Sequence, residues 1–146
     1  MIGRAAILVL VLVAPALRAG DLKAVAAEAN PAKRARLALG NGERVATEAG
    51  EACRAGEYDD CNALLGQVQE SVELADKALV ETGVDPGRNP RHHKDAEIRT
   101  RKILRLVQAL RTYMHADDLP HYEAVERKIS EINDRLLSGI MSKKKK

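Results

Sequence analysis

Hydrophobic residues recur along this chain at spacings of three and four over several separate stretches, with polar residues between them. The clearest run passes from Tyr58 through Cys61, Leu65, Val68, Val72 and Ala75 to Leu79. That spacing puts side chains on one stripe of an α-helix, so it predicts a helix over 58–82 packed lengthwise against other helices. Tyr122, Val125, Ile129, Ile132, Leu136 and Ile140 predict a second such helix near the C-terminus. Ile103, Leu106, Val107, Leu110 and Met114 predict a third, starting after Asn89-Pro90 and running to about His115. Upstream, Asn30-Pro31 is a helix start, with Asn at the cap and Pro in the first turn where its missing N–H costs nothing. The helix it opens runs to about Ala55 and presents a small-residue seam of Val45, Ala49 and Ala52.

The breaks between these stretches are short. Gly56 supplies the backbone freedom of a helix C-cap within Ala55-Gly56-Glu57. Gly83 to Asn89, with Asp85-Pro86-Gly87, is a loop, and Ala116 to Pro120 is a turn with Asp118 as the expected cap. Short connections force antiparallel neighbours. The expected fold is therefore all-α, a single domain over 30–141 in which two helical hairpins form a bundle of about four long antiparallel helices. Gly40, Gly42 and Gly50 cost the first of these helices roughly 1 kcal/mol each relative to Ala. Either that helix breaks near Gly40-Asn41-Gly42, or its glycines let a neighbour approach closely.

The two ends differ from this body. One cation in Met1 to Arg4, the apolar run Ala5 to Ala14, and Pro15 with the small residues Ala16, Ala19 and Gly20 have the three-part order of a secretory signal. The run is about half the length needed to span a bilayer. The expected signal is residues 1–19, cut after Ala16 or Ala19, with 20–29 as the mature N-terminal segment and export to the periplasm or the exterior as its consequence. Residues 142–146 form a basic tail. The 24 basic residues exceed the 21 acidic ones only through the ends, because Arg4, Arg18 and Lys143 to Lys146 account for more than the excess. Such a body does not call for nucleic acid as its default partner. Phe and Trp are absent and only Tyr58, Tyr113 and Tyr122 are aromatic, which weighs against a sheet and against base-stacking sites for single strands.

Charge is unevenly distributed within the body. Arg88, Arg91, Lys94, Arg99, Arg101, Lys102, Arg105 and Arg111 face only Asp95 and Glu97 in sequence, while the stretch from Glu43 to Asp85 is mostly acidic. Two readings are open: neighbouring helices complement each other, or Arg91, Lys94, Arg99, Arg101, Lys102 and Arg105 form a stripe that recruits phospholipid headgroups, nucleic acid or an acidic protein. Lys143 to Lys146 either reinforce that stripe or form a solubilising tail.

Cys53 and Cys61 flank the Gly56 turn at similar heights on adjacent helices. In an oxidising compartment they favour a disulfide; otherwise they serve as small buried thiols. His92 and His93 open one helix and His115 closes it, too far apart for one metal site, so these and His121 are expected as exposed residues at helix ends. No Ser has a His and an acid arranged around it, and Gly40-Asn41-Gly42 lacks the Lys-Ser or Lys-Thr of a phosphate loop. No catalytic residue, cofactor or metal site is expected.

Ala55-Gly56-Glu57-Tyr58-Asp59-Asp60-Cys61, with Leu64-Leu65 and Ala75-Asp76-Lys77-Ala78-Leu79, resembles the turn and second helix of a tetratricopeptide-type hairpin over about residues 42–86. In that family the position of Cys61 is usually Ala, where two helices touch. The 34-residue period of the family is missing. A weaker echo, Asp118-Leu119-Pro120-His121-Tyr122-Glu123-Ala124, implies a pair of related hairpins. The mature chain also resembles small exported bacterial helical proteins. The function expected is non-enzymatic: protein interaction or envelope structure, through an unknown partner or self-association, with the anionic-surface stripe as the alternative and no small-molecule substrate.

Overall fold

The computed structural model describes residues 16–142, with side chains from Asp21 onward. These residues are all-helical, and five α-helices pack together: α1 (Ala16–Ala26), α2 (Pro31–Arg54), α3 (Tyr58–Glu81), α4 (Arg91–Gln108) and α5 (Leu119–Met141). The expected signal segment lies outside the described residues up to residue 15, and so do Lys143 to Lys146. None of the described helices is long and apolar enough to cross a membrane.

Local signals account for α2. Asn30 takes the N-cap, its side-chain oxygen accepting the backbone N–H of Lys33 at 3.0 Å, and Pro31 is the first helical residue. The helix runs unbroken through Gly40-Asn41-Gly42. The glycines serve close approach instead: a Cβ on Gly42 would stand 3.1 Å from Ile103 Cδ1 and 3.3 Å from Ser71 Cβ. Gly56 adopts φ 76° in the turn to α3, a left-handed conformation that favours glycine. The chain then runs back along α2, pairing Arg34 with Glu81, Asn41 with Ser71 and Cys53 with Cys61. Arg34 and Glu81 are in direct contact as an ion pair.

The remaining helices are fixed by long-range polar ties around an apolar centre. Tyr122 of α5 is fully buried and donates its hydroxyl to the carbonyl of Val107 in α4 at 3.0 Å. Burial, then the charge of Glu126, push its phenol up to about 12, so it stays a donor at any physiological pH. Asn133 of α5 donates to the Glu97 carbonyl at 3.0 Å. Arg135 of α5 pairs with Asp76 of α3 at 2.9 Å. Gly42 against Ile103 and Gly50 against Leu110 place α4 on α2 in the same direction, so the two helices start at one end of the molecule.

The predicted stripes form the core, with corrections. Cys61, Leu65, Val68, Val72, Ala75 and Leu79 are buried, as are Val45, Ala49, Ala52 and the α5 positions from Tyr122 to Leu136. Tyr58 is not: at the first position of α3 it is 38 % exposed, its ring 5.9 Å from that of His115. The third predicted helix ends at Gln108, short of His115. The chain tightens into 3-10 turns at Arg111–Tyr113 and Ala116–Asp118 before α5. That path buries Leu110 and half-buries Met114, so the apolar period outlasts the α-helix. Asp118 precedes α5 without a side-chain cap bond, and Asn89 does not repeat the role of Asn30. α1 has no counterpart in the sequence reading, which left 20–29 without structure. Val25 packs against the core and Asp21 meets Arg44 of α2 at 3.1 Å.

Candidate functional site

The basic residues of α4 separate into two sets. Arg99 turns toward α2, its Nε 2.9 Å from Glu43 Oε1 and its Nη1 donating to the Arg36 carbonyl at 3.1 Å. Lys102 Nζ reaches the other Glu43 oxygen at 3.4 Å. Burial pushes the Glu43 carboxyl up, but the hydrogen bond and charge of Arg99, with Lys102 behind it, hold it below its ordinary 4.5. This tie is thus present near neutral pH and is lost only as the pH falls below 4.5 through the lower folded value. These two cations complement an acidic neighbour, the first of the two sequence readings.

Arg91, Lys94 and Arg105 do not follow them. With Arg101 and Ile98 they are spaced three, four, three and four apart, so all five share the face of α4 opposite the buried Ala96, Thr100, Ile103 and Val107. Among the described residues Arg101 meets Glu97 of its own helix, at 3.4 Å. The side chains of Arg91, Lys94 and Arg105 are exposed and have no ion pair or hydrogen bond among the described residues. Ile98 lies among them, 56 % exposed. The result is a row of cations around one apolar contact point.

Because α2 and α4 start together, the row continues onto α2. A cavity of about 610 Å³ opens between their first turns, with Lys33, Arg36, Arg91 and His92 at its edge and Asp95 as its one acid. Ala35, Leu39, Leu79 and Ala96 floor it. Lys33 and Arg36 escaped the sequence reading because only the parallel placement of two helices distant in sequence brings them to Arg91. A local signal existed nonetheless: neither α2 nor α4 has an acid in its first turn, and both have cations there. Cations at that end oppose the helix dipole by about 0.3–1 kcal/mol each, so helix stability does not account for them.

At the opposite end, Cys53 and Cys61 stand at disulfide distance, with Cα atoms 5.2 Å apart. Both are buried, and Met114 Sδ lies 3.9 Å from Cys53 Sγ. Oxidised, the pair would staple the α2–α3 turn across a sequence separation of 8. Reductant is then expected to lower stability to urea by roughly 2–3 kcal/mol. Coincident unfolding curves with and without reductant would mean that the two act as buried thiols.

The histidines depart from expectation in one case. His115 and His121 are exposed, His115 Nδ1 accepting the Asp117 N–H at 3.3 Å and His121 Nε2 lying 3.0 Å from the Asn62 carbonyl. His92 is exposed at the cavity edge. His93 is buried, 7 % exposed, because it falls on the inner face of α4 with Ala96 and Thr100. Among the described residues no three His, Cys, Asp or Glu side chains come together in a way that could hold a metal ion.

Comparison with protein-family models, curated proteins and solved structures finds no match to this chain.

Proposed function

We propose that this protein is an exported, non-enzymatic interaction protein whose four long helices form two antiparallel hairpins of tetratricopeptide type, stacked side by side. It recognises an acidic segment of a partner protein through the outer face of α4 and the first turn of α2. The observation that carries this reading is the division of the α4 cations. Arg99 and Lys102 are held by Glu43, whereas Arg91, Lys94 and Arg105 stand in solvent without a partner among the described residues. Unpaired cations on one exposed face contribute little to the fold and keep their full charge for a ligand. The exposed Ile98 among them favours a peptide over a bare polyanion, since a peptide can set an apolar side chain against it. The hairpin reading rests on the opposed pairing of α2 with α3 and on Tyr122 and Asn133 tying α5 back onto α4. Export rests on the order of residues 1–19, and a mature N-terminus at Leu17 or Gly20 would establish it by sequencing.

The triple variant Arg91→Glu, Lys94→Glu, Arg105→Glu is expected to melt like the wild type and to lose affinity for a Glu-rich peptide on the order of 100-fold at low salt. Wild-type binding should weaken as salt is raised, and variant binding should change little. Equal affinity of the two proteins for the peptide would remove the proposed surface. Binding to anionic vesicles but not to the peptide would reassign it to a membrane.

A further inference from the structure

On the other side of Leu79 from the basic cavity lies a second one of about 440 Å³, where α3 leaves for the connection to α4. Leu79, Val84, Pro86 and Leu136 give it apolar walls. Three side chains with acceptor atoms line it as well: Asp76 from α3, Asp85 from the connection and His93 from α4. A short apolar enclosure with a few converging polar groups, at this volume, is the usual construction of a small-molecule site.

His93 sets the site apart. Although it is more than nine-tenths buried, its Nδ1 has no hydrogen-bond partner among the described residues. Buried imidazole nitrogens are normally satisfied, and one left alone is expensive. Burial first, and then the adjacent His92, push the imidazole below its ordinary 6.5, against the opposing charges of Asp76 and Asp85. The ring is therefore neutral at pH 7 and carries a free lone pair.

We infer that this cavity binds a small organic cation, a primary ammonium group on a short apolar body. Three acceptor groups surround the space, and an ammonium presents three N–H donors and no acceptor. Asp76 already meets Arg135 at 2.9 Å, while Asp85 accepts the Gly87 N–H at 2.9 Å through Oδ1 and lies 3.9 Å from Arg88 Nε through Oδ2. Each carboxylate offers about four acceptor sites, so both keep capacity for the ligand. With His93 neutral, the residues that line the cavity carry two carboxylates against one guanidinium, and Arg88 stands outside that lining. The lining favours an ammonium over a metal ion, because no three His, Cys, Asp or Glu side chains among the described residues are placed to hold a metal and the rest of the wall is largely apolar. The site is independent of the basic face.

Hexylammonium titrated into the full chain, followed by calorimetry and by the ring nitrogen resonances of His93, tests this directly. A saturable shift of His93 with hexylammonium, and none with hexanol or hexanoate, is expected. His93→Gln and Asp85→Asn should each weaken hexylammonium binding by about tenfold or more. Asp85 is partly exposed, so its variant folds and reads the site even if His93→Gln does not. An unmoved His93, equal shifts with all three compounds, or unchanged affinity in Asp85→Asn would overturn the inference.

Discussion

Leu65→Asp is expected to abolish the cooperative thermal transition and most of the far-ultraviolet circular dichroism of the chain, and Ile129→Asp to do the same. Both side chains are fully buried, one in α3 and one in α5. Truncating a core Leu or Ile costs about 2–5 kcal/mol in lost transfer energy and cavity. The new carboxylate adds the cost of burying a charge or of protonating it. The sum is at least about 5 kcal/mol, comparable with the whole stability of a domain this size. The two variants test different things. Leu65→Asp disrupts the packing of α3 on α2, whereas Ile129→Asp acts on the second half of the chain, leaving the α2–α3 pair to unfold only if the helices form one cooperative unit. Loss of all helix signal in both would show a single unit. A residual transition in Ile129→Asp alone would show that α2 and α3 fold without α4 and α5. Native-like melting of either variant would refute the stripe that contains it.

The stripes were legible because burial in this protein follows helical spacing almost without exception. From Cys61 to Leu79 every position of the three-four series is inside, since one long helix is covered along its length by two others. Failures come at the ends, where geometry depends on tertiary placement. Tyr58 has the right spacing, yet at the first position of α3 its ring stays part-exposed beside that of His115. No Gly or Pro lies between His92 and Leu119, so nothing local marks the end of α4 at Gln108. The chain tightens into 3-10 turns there, with Leu110 buried and Met114 packed against the core. α1 is short and rich in Ala, and has no clear apolar stripe; its position depends on Asp21 meeting Arg44 and Val25 meeting the core, contacts that no spacing announces.

The same division explains what could be read of the candidate site. The six α4 cations named from the sequence are all on that helix, but they do not act together. Spacing separates them: Arg91, Lys94, Arg101 and Arg105 fall three, seven and four apart, on one face, whereas Arg99 and Lys102 lie to the side, toward α2. What spacing does not contain is Glu43 as their partner, or Lys33 and Arg36 as neighbours of Arg91. Both follow from the parallel placement of α2 and α4. His93 was missed for a related reason, since its burial depends on α5 and on the 82–90 connection closing over the first turn of α4.

That parallel placement depends in turn on Gly42, and Gly42→Leu is expected to destabilise the protein by about 3 kcal/mol. Even a Cβ there would meet Ile103 Cδ1 at 3.1 Å and Ser71 Cβ at 3.3 Å, so the neighbours must give way for a methyl, and an isobutyl group needs α4 and α3 to move apart from α2. Asn41 beside it is buried and donates to Ser71 Oγ at 2.9 Å, and separating the helices would break this bond. For a domain of this size the loss corresponds to roughly 10 °C in melting temperature. Gly66 supplies the internal comparison. It is also a mid-helix glycine, but a Cβ there meets nothing within 4 Å, so Gly66→Ala should gain roughly 0.5–1 kcal/mol from helix propensity alone. Opposite signs at the two glycines, measured by urea unfolding, would establish that α2, α3 and α4 meet at Gly42. A Gly42→Leu protein as stable as the wild type would mean that the close approach is absent in solution, and with it the packing that brings Lys33, Arg36 and Arg91 to one edge.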